Sequence, residues 1–368
     1  MLKHTVVSLF SGCGGLDFGF HQAGFDLTWA NEFSADAAKS YSSLLGHDVI
    51  VDDIWKVLKC VPDGDVVIGG PPCQSFSLVG KRLETDSRGK LIFAYEQVIR
   101  RVKPQAFIME NVPGLMASRI DGQRLHLYLA DQFTKLGYNV SILKLIATDY
   151  FVPQKRQRVF MVGHRIKGKS FALIDADVFA KILGEPSLKK PVSVSDALDD
   201  LPKPLPKGSK MSVAYKSPPH SAYSRLMRLD GPLEVTLQVM PTMSTLDREF
   251  VRHIPPGGNY NDIPDFLSTK RILSFKKSGG RTTTYGRLHQ AAPAYTINTY
   301  FNRPNVGANY HHKEERLITV REALRLQSFP DRFTPYYSNQ RSLHMQIGNA
   351  VPPLMARAVA ESLKRLFK

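Results

Sequence analysis

Over the first 165 residues, short apolar runs alternate with segments whose apolar positions recur at helical spacing. The runs TVVSLF (5–10), DLTWANE (26–32), DVVIGG (65–70), AFIMEN (106–111), NVSILKLIA (139–147) and RVFMVGHR (158–165) each border a turn signal, which predicts strands. Between them SADAAKSYSSLLG opens on a capping serine, Ser34, and closes on Gly46, while LIFAYEQVIRRVKP stops at Pro104, which predicts helices. Strands and helices in alternation predict an α/β fold built on a doubly wound, mainly parallel sheet.

The texture changes from about residue 170 to 300. Prolines cluster in LPKPLPKGS, KSPPHS and HIPPGGNYNDIP, and long periodic segments disappear, so a smaller, irregular second domain is expected. Helical patterns return in TVREALRLQSF and in PPLMARAVAESLKRLF, whose prolines suit a first helical turn. The expected division is 1–174 with 304–368 in one domain and 175–303 in the other.

Composition narrows the picture. Apolar residues make up 43% of the 368 and charged residues 22%, ordinary values for a soluble globular protein, and no apolar stretch is long enough to span a membrane. The opening segment MLKHTVVSLFSGCGG predicts a buried strand entering a glycine turn and lacks the longer apolar core of a signal peptide, so a cytoplasmic protein is expected. Cys13, Cys60 and Cys73 are odd in number and widely spaced, which supports neither a disulfide framework nor a metal site. The net charge is +16 and lies mostly in the second half: 19 Lys and Arg face 16 Asp and Glu up to Arg165, and 30 face 17 beyond it. Such a distribution suits a polyanionic partner, though it also serves solubility.

Candidate chemistry gathers at strand ends. SLFSGCGGLDFGF (8–20) reads as a strand, a turn with Gly12, Gly14 and Gly15, and a helix, where a ligand can approach the backbone and meet helix N-terminal amides. Dinucleotide sites, other nucleoside cofactors and plain tight turns share this pattern, and the poor match to GxGxxG argues against a nicotinamide cofactor. Glu32 ends the second strand, where a carboxylate can accept from ribose hydroxyls, and Asp53 follows the third short strand, where it can accept from an exocyclic amine. Cys73, in GGPPCQSFS, follows a strand whose prolines fix the chain direction. A lone cysteine is more often a small apolar filler. Glu110 and Asn111 end the next strand, and Arg156 and Arg158 alternate at the start of the last one, so a nucleophile, a proton donor and an anion-stabilising pair are expected together near a nucleoside.

SLFSGCGGLDFGF, NEFSADAAKSY, GGPPCQSFS, ENVPGL, QKRQRVFMVG, REALRLQSFPD and QIGNAVPPLMARAVA stand in the order and spacing of the motifs of C5-cytosine DNA methyltransferases, which the chain resembles over nearly its whole length. The resemblance implies a Rossmann-like S-adenosylmethionine-dependent domain with a smaller target-recognition domain at 175–303. It implies S-adenosyl-L-methionine in the glycine loop, held by Phe10, Gly12, Gly14, Gly15, Leu16, Glu32, Asp53, Ile54 and Pro72, with Gly348, Asn349 and Val351 as a closing wall. Cys73 would be the nucleophile toward cytosine C6, Glu110 would engage N3, Arg158 would touch O2, and Arg156 would help hold the site. No metal is implied.

The same resemblance implies a duplex DNA substrate, a flipped-out target base and a function in restriction and modification beside an independent endonuclease, the enzyme acting as a monomer. The DNA contacts expected are Gln74, Ser77, Lys81 and Arg82 in a closing loop at 74–91, and Lys276, Lys277, Arg281, Thr283, Tyr285, Arg287 and Thr296 in the second domain, where basic residues and hydroxyls can meet phosphates and base edges. A tRNA cytosine methyltransferase on the same motifs is the nearest alternative, and the long basic stretch at 175–300 speaks for DNA.

Overall fold

The computed structural model describes residues 3–72 and 91–368, in two compact units. The first unit comprises residues 3–72, 91–146, 157–175 and 355–368; the second comprises 147–156 and 176–354.

The first unit is built on one seven-stranded sheet. Its strands are β1 (Thr5–Leu9), β2 (Asp26–Glu32), β3 (Ile50–Val51), β4 (Val66–Gly69), β5 (Ala106–Asn111), β6 (Asn139–Ile146) and β7 (Gln157–His164). The order is β3-β2-β1-β4-β5-β7-β6. Helices α1 (Gly15–Gln22), α2 (Ala35–Leu45), α3 (Leu91–Val102) and α4 (Leu125–Lys135) connect or flank them. The continuous apolar runs are strands covered on both faces, as parallel strands require: all four residues of β4 and all six of β5 are buried.

Five strands, β1 to β5, pair in parallel, and β7 runs antiparallel to both β5 and β6. The expectation of a mainly parallel, doubly wound sheet therefore holds, with one reversed strand that the pattern of apolar residues did not announce. Antiparallel neighbours need no crossover of a dozen residues or more, and only residues 147–156 join β6 to β7.

Local signals set the element ends. Ser34 accepts from Ala37 N at 3.4 Å and Gly46 closes α2 at φ 66°, in the left-handed region where glycine carries no Cβ penalty. Inside the unit Tyr95 of α3 is fully buried, and its hydroxyl donates to the carbonyls of Val67 and Ile108 at 3.1 and 2.9 Å. Phe107 packs between Phe133 and Tyr138, with ring centroids 4.4 and 5.1 Å away. Burial of such a ring contributes about 1.5–3 kcal/mol.

The second unit has short helices, two-stranded ladders and long irregular stretches. Phe250, Ile254, Tyr260, Ile263, Ile272, Tyr310 and Leu317 form an apolar cluster. Beside it stand buried charges: Arg325 lies 2.8 Å from Asp200 and 2.5 Å from Asp331, and Arg316 lies 2.8 Å from Glu322, whose carboxylate also completes a capping box with Thr319. Residues 304–354, grouped on the sequence with the catalytic half, pack in this unit, where Arg325 of REALRLQSFPD is held by Asp200 and Asp331.

Asp17, in the first turn of α1, is fully buried and accepts from Tyr41 Oη at 3.0 Å. Burial pushes its carboxyl up to about 6, against the opposing pull of hydrogen bonds from Ser8 and Tyr41. A folded value above the unfolded one means that the neutral form favours the fold: this stability is fully present below about pH 4 and is lost as pH rises to about 6. Urea unfolding of wild type and Asp17→Asn should therefore diverge between pH 4 and 6, the variant gaining on the order of 3 kcal/mol relative to wild type, and run parallel above that range. Curves parallel throughout would refute the assignment.

Candidate active site

The glycine turn leaves β1 at Phe10, whose φ of 55° already departs from the strand. Gly12 and Gly14 follow at φ 57° and 88°, and Gly14 is the N-cap of α1, whose first residues are Gly15 and Leu16. A Cβ on Gly12 would meet no atom of the described residues within 4 Å, so among them the turn borders open space. Glu32, at the end of β2, bridges this turn to its own: Oε2 accepts from Gly12 N at 2.9 Å and Oε1 from Ser34 N at 2.8 Å. Burial raises its carboxyl above the usual value, and the two amides act the other way.

The next acid is positioned through Asn31. Its Nδ2 donates to the carbonyls of Ile50 and Asp52, each at 2.9 Å, tying the end of β3 to that of β2. Asp53 then caps the helical turn Ile54–Val57, accepting from Trp55 N at 3.0 Å, and Ile54 is buried. Phe10, the glycines, Glu32 and Asp53 thus share the carboxyl edge of three adjacent parallel strands, where ligands bind in such sheets. Sequence reasoning passed over Phe33. It directly follows the strand-end acid and is 76% exposed, an exposure that no residue pattern would have revealed.

The neighbouring strand ends hold the second group. β4 ends at Gly69, and the chain continues through Gly70 to Pro71, buried, and Pro72, half-buried. Asn111, the last residue of β5, donates from Nδ2 to the Pro71 carbonyl at 2.9 Å and accepts from Val112 N at 2.9 Å. A Cβ on Gly70 would come within 3.0 Å of Glu110 Oε2, so the carboxylate lies directly against the chain ahead of the prolines. Cys73, Gln74, Ser77, Lys81 and Arg82, with most of the loop expected at 74–91, lie outside the described residues.

Glu110 is paired across the sheet. It stands opposite Phe160 in the β5–β7 register, and Arg158, two residues earlier on β7, brings Nε to 2.7 Å from Oε1. The two side chains are 10% and 9% exposed, so the two groups meet in a largely dry setting. Arg158 Nη1 also donates to the Gln157 carbonyl at 2.8 Å.

Arg156 has other partners. It lies in the second unit, 1% exposed, and donates from Nη1 to the Ile297 carbonyl at 2.8 Å and from Nη2 to the Gly348 carbonyl at 2.7 Å. The expected two-arginine cradle on one face is therefore not what these contacts describe: alternation along a strand requires both residues to be in the strand, and β7 begins at Gln157. Gln154, fully buried, extends the same network, donating to Leu326 O at 2.8 Å and to Gln327 Oε1 at 2.7 Å and accepting from Ile297 N at 3.0 Å. Gln327 Nε2 in turn donates to Ile347 O at 2.6 Å. Thr296 donates to Lys155 O at 3.0 Å, while Asn349 is exposed at the end of its helix and Val351 is buried.

The residues expected to meet DNA divide. Lys277 and Arg281 are exposed and Thr283 is half-buried. Arg287 instead donates to three carbonyls, of His311, Val251 and Ile254, at 3.1, 3.4 and 2.9 Å, and Tyr285 is 9% exposed, edge-on to Phe250. Lys276 reaches Asp265 Oδ1 at 2.7 Å. Composition alone could not separate surface cations from these, because all share one basic stretch. Among the described residues no helix is long and apolar enough to cross a membrane.

Residues 4–365 match the family model of the C-5 cytosine-specific DNA methylases. The Type II methyltransferase M.NgoFVII of Neisseria gonorrhoeae is 32% identical over 372 residues, covering 99% of this chain and 87% of the relative. M.AgeI of Thalassovita gelatinovora, also a Type II methyltransferase, is 30% identical over 428 residues, covering 98% and 99%. Among solved structures, a prophage-encoded candidate DNA modification methyltransferase from E. coli superposes with a TM-score of 0.73 at 24% identity over 99% of each chain. Dnmt2 of S. pombe does so at 0.56 and 16% identity over 99% and 98%, which shows the shared fold. The chain belongs to the C-5 cytosine-specific DNA methylase family and is a DNA cytosine methyltransferase related to the Type II restriction-modification enzymes.

Proposed function

We propose that this enzyme methylates C5 of a cytosine flipped out of duplex DNA, with Cys73 as nucleophile and S-adenosyl-L-methionine as methyl donor, as a cytoplasmic monomer beside an independent endonuclease. The observation that carries the reading is the Glu110–Arg158 pair against Gly70, three residues ahead of Cys73. The open space at Gly12, the carboxylate of Glu32 and the exposed ring of Phe33 suit a nucleoside cofactor at the adjoining strand ends. When bound, S-adenosyl-L-methionine supplies an activated methyl group on its sulfonium.

The residues divide the work. Glu32 would accept from ribose hydroxyls, Asp53 from the adenine amine, and Phe10 would lie against the adenine. Cys73 is used as the thiolate: its sulfur bonds to C6 while N3 takes a proton from Glu110, which turns C5 into an enamine nucleophile. C5 would then take the methyl group that the donor supplies, S-adenosyl-L-homocysteine being the other product. Loss of the C5 proton to a base then expels the thiolate, and N3 returns its proton. Arg158 touches O2 and keeps Glu110 oriented, and Arg156 holds Ile297 and Gly348 in place. Flipping costs a few kcal/mol, offset by phosphate contacts from the 175–303 target-recognition domain, where Lys277 and Arg281 are exposed.

Methyl transfer from labelled S-adenosylmethionine should label unmethylated plasmid DNA and not tRNA. Cys73→Ser should lower the rate at least a thousand-fold and Glu110→Gln about a hundred-fold. Labelling of tRNA alone, or a fully active serine variant, would overturn the proposal.

Asn111 acts at one remove, through Pro71. Asn111→Ala leaves the Pro71 carbonyl without its 2.9 Å donor at a cost of about 1–3 kcal/mol, so kcat should fall at least ten-fold while KM for S-adenosylmethionine holds. A rise in that KM with unchanged kcat would argue against a positioning role toward the nucleophile.

A further inference from the structure

Among the described residues no large apolar side chain is more exposed than Phe266, at 88%. Its turn is firmly tied. Leu267 N and Ser268 N donate to the Pro264 carbonyl at 3.1 and 3.0 Å, and Ser268 Oγ donates to the same oxygen at 2.9 Å. Ile263 on one side is fully buried, and Leu267 on the other packs against the cluster that contains it. Thr269 then caps the helix Lys270–Ser278, accepting from Ile272 N at 3.3 Å. Lys276 reaches back from that helix, its ammonium on the Ile263 carbonyl and 2.7 Å from Asp265 Oδ1. One cation of the basic stretch is thus committed to bracing the turn that presents the ring.

A ring held this way forgoes the stabilisation that burial gives, which makes a bound state that covers it informative. The chemistry of its surroundings selects the partner. Lys270, Arg271 and Lys277 are exposed on the helix that follows, and Arg281 is exposed beyond it. The buried core of a protein–protein interface is depleted in lysine, whereas a ring flanked by cations matches a stack of bases flanked by phosphates.

We propose that Phe266 is an apolar base contact of this enzyme on duplex DNA, its ring laid against a base while Lys270, Arg271 and Lys277 take phosphates. The inference rests on the DNA reading above and adds to it a residue that reads bases without charge. An aromatic–base contact of this kind contributes roughly ten-fold in affinity.

The test is binding of the full-length protein to linear fragments of unmethylated plasmid DNA across a salt series. Phe266→Ala should weaken binding about ten-fold with an unchanged slope of affinity against salt, and Phe266→Trp should restore it. Lys277→Gln should instead lower the slope by about one. Melting temperature and S-adenosylmethionine binding should not move, since the ring is outside the core. Wild-type affinity in Phe266→Ala, or a loss that tracks the salt slope, overturns the inference while leaving the DNA reading intact. A wild-type protein that retains no plasmid fragments overturns both.

Discussion

The candidate site depends on one strand running backwards. Because β7 is antiparallel to β5, its first residues lie beside the last residues of β5, and Arg158 comes within 2.7 Å of Glu110. A parallel β7 would put Arg158 at the opposite edge of the sheet, far from Glu110 and the other strand-end residues. Both side chains are about nine-tenths buried, so removing either leaves a charge uncompensated at a cost of about 3–5 kcal/mol. The pair is therefore a constraint as much as a contact. It fixes where the Glu110 carboxylate sits relative to Gly70, and Asn111 fixes the chain that follows through Pro71.

The second unit solves a different problem. With few strands to satisfy its backbone, it uses long polar side chains as internal struts, and Gln154, Arg156 and Gln327 bind the carbonyls of Ile297, Leu326, Ile347 and Gly348. A planar guanidinium can hold two carbonyls from separate segments at once in a fixed fork geometry. Arg325, set between Asp200 and Asp331, and Arg316, against Glu322, extend the principle to buried charge. Basic residues that look alike in composition thus divide into struts such as Arg287 and surface cations such as Lys277.

Much of the first unit was legible. β2 and β5 have the limits that the apolar runs set, and Ser34 and Gly46 bound α2 as their chemistry requires. Glycines at positive φ, strand-end acids and a serine cap act over a few residues, so they can be read where they stand. Less legible were Arg156, Tyr285, Arg287 and Phe33. A periodicity states which face a residue occupies and never what lies on the other side, so a carbonyl 141 residues away in the chain cannot be inferred from QKRQR.

By itself, the sequence determined the alternation of strands and helices, the glycine turn, the acids at the ends of β2 and β5 (Glu32 and, beside the terminal Asn111, Glu110), and the family, because each is a matter of residue type at short spacing. Tertiary structure alone decided the direction of β7, the pairing of Glu110 with Arg158, the hold of Asn111 on Pro71, and which arginines face carbonyls rather than solvent. Those are contacts between segments distant in the chain. They exist only once the sheet has chosen its order and burial has driven these polar groups to find partners.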